Sequence, residues 1–468
     1  HLQLHRAHVL MLGERDIVPR SAAAAILGEL DRVDREGSDA LELRGDLNDM
    51  YLNLQARLME RLGEAVGGWV HVAMSRNDYG LALARMQIRE QINAAAEGVL
   101  ALMDAMLGMA EGHVETVMPG YTHHSQQAQP ITFGYFLLAC WDAAARDIQR
   151  LSQAFATTNA SPMGGGAIGA TGFPVDRQRV AELLGFDGLV ENALDATGGR
   201  DFALEAGAAY AIALSGMNRL GESLLLWNTA EFGMIELADQ YCHISSIMPQ
   251  KKNPVTLEIL RAEAVKAQNA LNTAFAILKG VPPGNGREPG YAEEMVVEAG
   301  ERLVVLAPVL ADVVATLTVH PDRMLQRARE GFSTMTELAD ELVRQSDLSF
   351  HQAYVLVSDL VVRVHGRGRT ADTIRAADVD EAAERTLGRR LGVGDEAIRR
   401  ALDPVHAVAR RVVTGGPAPA ESRRMLERRQ RLQAQLQRGL EARRERLAGG
   451  GERLEADVRD FTTREEVR

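Results

Sequence analysis

Three short segments carry residue types suited to removing a proton beside a carboxylate. The first is Ser245–Pro254, SSIMPQKKNP, where Ser245, Ser246, Lys251, Lys252 and Asn253 precede an apolar-periodic run. Asn253-Pro254 predicts a helix start, with Asn as N-cap and Pro at the first helical position. A helix N-terminus offers free backbone N–H groups and the positive end of the dipole, so serines, lysines and helix start converge on an anion site. Of the 52 basic residues only Lys251, Lys252, Lys266 and Lys279 are lysines, all within one 29-residue stretch. A compact ammonium differs chemically from a guanidinium fork, which gives the first two extra weight. The second segment, Ser75-Arg76-Asn77, sets a hydroxyl, a fork and an amide side by side, suited to bidentate carboxylate binding. The third, Pro119-Gly120-Tyr121-Thr122-His123-His124, ends a helix and then presents hydroxyl and imidazole, the latter able to transfer protons near neutral pH. Each has a structural alternative: a cap and turn, a surface polar run, and a loop histidine without a chemical role.

These segments need long helices to hold them, and the sequence supplies them. No proline lies between Pro19 and Pro119, between Pro174 and Pro249, or between Pro321 and Pro404, and those intervals are rich in strong helix formers. Period-2 alternation is nearly absent, so the fold class is expected to be all-α. Leu257, Leu260, Ala264, Ala267, Leu271, Ala274 and Leu278 form a heptad seam that predicts a long-helix bundle and association through it. Three sections are expected: residues 1–74, a small helical domain; 75–340, the central bundle with the signature loop; and 341–468, a small helical C-terminal domain. Glu421–Leu447 reads as a solvated charged helix, with mobility expected from Gly449 onward.

The chain has 468 residues, enough for two or three domains, and a net charge of −12, which argues against a nucleic-acid footprint. The chain opens at His1, so a leading segment is expected to be missing. No apolar run stands out as long and charge-free enough to span a bilayer, and no membrane partner is expected. Cys140 and Cys242 make neither a disulfide framework nor a metal spacing, which fits a reducing cytoplasm.

The set of motifs resembles the argininosuccinate lyase branch of the fumarase/aspartase superfamily. The matching pieces are SRND at 75–78, MPGYTH at 118–123, AQPITFG at 128–134, GATGFPVDR at 169–177, WNTAEFG at 227–233 and SSIMPQKKNP at 245–254. ELADELVRQ at 337–345 and VVTGGPAP at 412–419 extend the likeness to nearly the whole chain. The resemblance implies a three-domain all-α fold and an enzyme that breaks a C–N or C–O bond of a succinyl group to release fumarate. It implies Ser245 as the base, with Lys251 and Asn253 holding the carboxylate that becomes dianionic. Ser75, Arg76, Asn77, Thr122, Ser246 and Gln129 are implied in substrate binding. The motif histidine is His123 if PGYTH is the anchor and His124 if AQP is, and it pairs with Glu258. The resemblance further implies a homotetramer with sites shared among three subunits, no metal or organic cofactor, and closure of the loop around Ile244–Gln250 to exclude water.

The chain departs from the branch at four places. The histidine block is one residue longer between TH and AQP. Ile244 stands where Gly is common. Tyr51, Gln55 and His5 stand where the branch has His, Glu and a substrate-binding serine. Most consequential is 284–293, where the branch has a Tyr-Asn-Lys/Arg-Asp-Leu-Gln-Glu-Asp-Lys segment whose Tyr, Gln and Lys grip the arginine half of the substrate. Here Asn285, Gly290 and Glu293 take those places, beside Arg287. A C–N lyase of an N-substituted aspartate whose amine is not arginine is therefore the leading expectation. Argininosuccinate lyase proper and a crystallin-like structural protein are the alternatives.

Overall fold

The computed structural model describes residues 1–37, 43–47, 49–123 and 125–466. Helices α1 (Leu2–Glu14), α2 (Arg20–Glu36) and α3 (Met50–Leu62) form an N-terminal layer. Its core includes Leu10, Leu12, Ile26, Leu30 and Leu54, together with Leu183, Leu454 and Phe461 from distant parts of the chain.

The central bundle starts with α4 (Arg76–Gly112). Ser75 and Asp78 form a capping box there, the Ser75 hydroxyl accepting from the Asn77 amide and the Asp78 carboxylate from the Ser75 amide. After α4 the chain makes a hairpin of β1 (Val117–Thr122) and β2 (Gln126–Thr132). It returns as α5 (Phe133–Thr158), capped by Thr132, whose hydroxyl accepts from the Tyr135 amide at 3.1 Å. Helix α6 (Asp201–Trp227) follows, then a short ladder of β3 (His243–Ile244) with β4 (Lys252–Asn253). Helices α7 (Val255–Leu278) and α8 (Glu288–Ala315) complete the bundle, α8 lying along α4, α6 and α7. Trp141, Tyr210, Phe133 and Phe202 are fully buried between these helices, each such side chain contributing about 1.5–3 kcal/mol of burial. The Arg85 guanidinium pins α4 to the end of α5 by donating to the Thr157 and Thr158 carbonyls at 3.0 and 3.2 Å. It also lies 4.0 Å over the Phe202 ring. Among the described residues strands occur only as two-stranded ladders, in keeping with the all-α expectation.

A smaller core, from Leu338 to Leu402, is built by α9 (Met335–Gln345), α10 (Phe350–Gly366), α11 (Ala376–Leu387) and α12 (Asp395–Leu402). The last helix, α13 (Pro419–Glu466), does not join it. Instead α13 runs back along α4 and reaches α1 and α2, so residues 341–468 are not one packed unit. The Gly449–Gly451 run, expected to be mobile, lies inside α13. A Cβ at Gly450 would come within 2.9 Å of the Gly185 backbone, so glycine serves a close approach here.

Two other expectations change. Helix α4 does contain a stretch long and apolar enough to cross a membrane by length and composition. Its apolar side chains are spent on the bundle core, where Ile88, Ile92, Val99 and Met103 are buried. The α7 seam is likewise occupied within the chain, Leu257, Leu260, Ala267 and Ala274 being buried against α6 and α8. The apolar groups that α7 leaves uncovered are Ile259, Val265 and Phe275, on its other faces.

Candidate active site

The β3–β4 ladder makes Ser245–Lys251 the tip of a hairpin rather than a simple entry into a helix. Asn253 sits in β4, and Pro254 precedes α7 with no side-chain cap, which corrects the expected Asn253 N-cap. Register explains it: His243 opposes Asn253 and Ile244 opposes Lys252, so the backbone is still extended at Asn253. The Ser245 hydroxyl oxygen accepts from the backbone amides of Ile247 at 3.4 Å and Met248 at 3.1 Å. Donors aimed at that oxygen favour its charged form. The two lysines divide. Lys252 ties the hairpin down, its ammonium 2.6 Å from both Glu236 and Asp239 and donating to the Leu237 carbonyl at 3.0 Å. Those carboxylates raise its pKa and fix it as a cation. Lys251 is exposed and makes no ion pair among the described residues, leaving its charge for a ligand. Ser246 is exposed and Glu258 stands exposed in the first turn of α7. Ile247 at the tip is 83% exposed, an apolar side chain with nothing over it in the single chain.

The second expected element, Thr122 with His123, occupies the tip of the β1–β2 hairpin. His123 Nδ1 lies 3.2 Å from the Thr122 hydroxyl oxygen. His123 and Ser125 both adopt left-handed backbone, φ 46° and 74°, at a cost on the order of 1 kcal/mol each. His124, the other candidate for the motif histidine, lies outside the described residues. Gln129 is an exposed side chain of β2. Tyr121 anchors the hairpin on Trp227 and Phe232.

Ser75, Arg76 and Asn77 lie at the N-terminus of α4 and join the 285–293 segment. A cleft of about 260 Å³ is lined there by Arg76, Asn77, Arg200, Asn285, Arg287 and Glu293 among others. Arg200 pairs with Glu293, and its Nη2 donates to Asn285 Oδ1 at 3.1 Å. Asn285 Nδ2 donates to Asn77 Oδ1 at 2.6 Å, and Asn77 Nδ2 donates to the Ala167 carbonyl at 3.0 Å. Burial pushes the Glu293 carboxyl up, and Arg200 opposes that shift. Glu293 is thus not a bare carboxylate facing the cleft, as its place in the sequence suggested, but one held against a guanidinium. Arg76 reaches Asp49 at 3.2 Å. Arg287 has no ion pair among the described residues and lies 5.9 Å from the centroid of the half-exposed Tyr291 ring. Nothing in the sequence marks Arg200, a polar residue before an apolar helix, or Tyr291 as part of the cleft.

The cleft does not meet the other two elements within one chain. Helix α4, with 37 residues, is about 55 Å long, and it separates Ser75–Asn77 from the β1–β2 hairpin. Helix α7, with 24 residues, puts about 36 Å between the signature loop and Asn285. No hydrogen bond or ion pair among the described residues links Ser75–Asn77, Thr122–His123 and Ser245–Asn253.

Other departures from the branch pattern form a cluster under α1. Tyr51 shares a hydrogen bond with His71 and packs on His5 and Tyr79. His5 is buried with neither ring nitrogen bonded, and burial lowers its pKa to about 3. Among the described residues no group of three or more His, Cys, Asp or Glu side chains is placed to hold a metal ion.

Known proteins match the chain over most of its length. Residues 3–268 match the family model described as lyase, and residues 332–409 match that of the argininosuccinate lyase C-terminal region. The chain is 36% identical over 427 residues to an argininosuccinate lyase of Methanosarcina acetivorans, covering 91% of this chain and 85% of the relative. It is 38% identical over 460 residues to that of Methanoculleus marisnigri, covering 98% and 92%. Among solved structures it is similar to EDDS lyase in complex with formate, at 33% identity and TM-score 0.92, covering 99% of this chain and 91% of the other. A fumarate lyase from Mesorhizobium sp. BNC1, at 20% identity, TM-score 0.76 and coverage of 91% and 94%, shares the fold. The chain belongs to the argininosuccinate lyase branch of the fumarase/aspartase superfamily and is a fumarate-releasing carbon–nitrogen lyase.

Proposed function

We propose that the enzyme cleaves an N-substituted aspartate by β-elimination, giving fumarate and an amine other than arginine. Ser245 Oγ, charged under the Ile247 and Met248 amides, takes the proton from the carbon beside one carboxylate. The electron pair moves into that carboxylate, which becomes an aci-dianion. Lys251 and Asn253 stabilise it, since preorganised charge acts where charge develops. Collapse of the dianion forms the double bond and expels the nitrogen, which receives a proton from the histidine of the β1–β2 hairpin, oriented by Glu258. Ser75, Arg76, Asn77 and Thr122 hold the remainder of the succinyl group. Because the cleft lies a helix length away from both the loop and the hairpin in one chain, a homotetramer supplies each site from several subunits.

The observation that carries the choice of amine is the altered 285–293 wall. Asn285 is absorbed into bonds with Arg200 and Asn77, and Glu293 is buried against Arg200. A panel of N-substituted aspartates, with argininosuccinate included, is assayed by the absorbance of fumarate. The reading predicts that argininosuccinate has a kcat/KM at least about 100-fold below the best substrate, a gap of about 2.7 kcal/mol in transition-state binding. Argininosuccinate as the best substrate sinks it. Argininosuccinate lyase itself is the second reading, favoured by the curated relatives that carry that name.

A further inference from the structure

We infer that the small C-terminal core sets the pose of the hairpin that carries the histidine, with Arg411 as the positioning residue between them. This rests on the reading that the hairpin histidine protonates the leaving nitrogen, and it names the residue that holds the hairpin in place for that step.

The hairpin has a weak point. Pro119 of β1 opposes Pro130 of β2, and neither has a backbone N–H to give the other. The register shifts just beyond, between Pro119 and Tyr121. Gly120 sits at that shift, where a Cβ would come within 2.5 Å of the Gln129 carbonyl oxygen. Such irregularities re-aim the residues that follow them, and here those residues are Thr122 and His123. A donor from outside the hairpin meets the weak point. Arg411 Nη1 donates to the Pro130 carbonyl at 3.2 Å.

Arg411 is held in turn by the C-terminal core. Helix α9 contributes two buried carboxylates, Glu337 and Glu341. Arg344 and Arg410 each pair with both of them. Arg411 Nη2 lies 4.0 Å from Glu337, which leaves Nη1 for the hairpin. The loop that follows is clamped from the bundle side. The Gly415 carbonyl accepts from the Tyr135 hydroxyl at 3.1 Å, and the Gly415 amide donates to Glu421 at 2.7 Å. Apolar packing runs along the same line, Val408 clustering with Val117 of β1 and with Ala328. Arg410 supplies an internal comparison: it shares the two carboxylates, and no hydrogen bond among the described residues joins it to the hairpin.

The consequence falls on one step of the proposed reaction. Ser245 takes the carbon-bound proton without help from the hairpin. The dianion then has two exits. It expels the nitrogen, which takes the histidine proton, or it takes a proton back at carbon from Ser245 and returns to substrate. A displaced hairpin slows the first exit and leaves the second alone.

The test uses the N-substituted aspartate with the highest kcat/KM in the panel, incubated in D2O. Deuterium entering the carbon beside the carboxylate in unreacted substrate is measured against fumarate released. Arg411→Met is expected to lower kcat by about 10- to 100-fold, the scale of a reacting group displaced by about 1 Å, with KM little changed. The exchange-to-release ratio is expected to rise by the same order. A smaller folded fraction lowers exchange and release together, so it leaves the ratio unmoved. Arg411→Lys, which keeps a donor for the Pro130 carbonyl, restores part of the wild-type ratio. Arg410→Met lowers Tm and leaves the ratio at the wild-type value. A ratio unchanged in Arg411→Met overturns the inference while leaving the fumarate chemistry intact, and so does an equal rise in Arg410→Met. Absence of fumarate from every N-substituted aspartate tried with the wild-type enzyme is a different result, and it defeats the proposed function and this inference with it.

Discussion

In the proposed reaction Ser245 is the base, and the two amides that donate to its oxygen favour the charged form that this role needs. Ser245→Ala is expected to lower kcat by about 10³-fold, the scale of a lost general base, with the circular dichroism spectrum unchanged. The neighbouring lysines are expected to differ in kind. Lys251→Met lowers kcat, whereas Lys252→Met loosens a hairpin that Glu236 and Asp239 hold, and shows first as a lower Tm. Their rarity in the sequence marked both, but only the pairing geometry tells them apart. His5 and His8 belong to the stability side. Both are buried, and desolvation lowers their pKa values from 6.5 to about 3 and about 4. The unfolded chain then binds more protons than the native one below pH 6.5, so stability is full above that pH and is lost as pH falls. At pH 5 the loss is about 2 kcal/mol for each histidine. Thermal unfolding is expected to show a lower Tm at pH 5 than at pH 7.5, and His5→Phe is expected to flatten that difference.

At the scale of elements, the long helices were legible because proline gaps and helix-forming residues are local signals. The partners of those helices were not. The heptad on α7 marks a packing seam, yet nothing in its spacing says that α6 and α8 of the same chain occupy it, where association between chains was the expectation. The capping residues illustrate the same limit: Ser75, expected only in carboxylate binding, caps α4, while Asn253, expected to cap, is drawn into a strand by pairing with His243. Glycines in α13 looked like a loosening because propensity alone was visible. In the fold Gly450 passes the Gly185 backbone at a distance no side chain fits. Gly450→Val is therefore expected to destabilise the protein by about 1–3 kcal/mol, the range for overpacking. Urea denaturation at equilibrium would measure it, and a value within a few tenths of zero would show that α13 is not held there.

At the scale of the whole molecule, the site was legible in its parts and not in its assembly. The motifs name chemical groups without placing them, and the lengths of α4 and α7 set the cleft apart from both hairpin and loop. The same arrangement hid Arg200, which contacts Asn285 only because the start of α6 meets the turn before α8. Uncovered Ile259, Val265 and Phe275 on α7 leave the bundle an apolar surface, which the proposed tetramer would cover. In the proposed tetramer the Ser245 loop of one subunit acts on a substrate held by the Asn77–Asn285 cleft of another. Mixing subunits tests this most directly. Ser245→Ala and Asn77→Ala proteins, each inactive alone, are denatured together, refolded, and assayed for fumarate release. The mixture is expected to recover a substantial fraction of wild-type activity, because some sites then draw both intact segments from different chains. A mixture as inactive as its two components would contradict it.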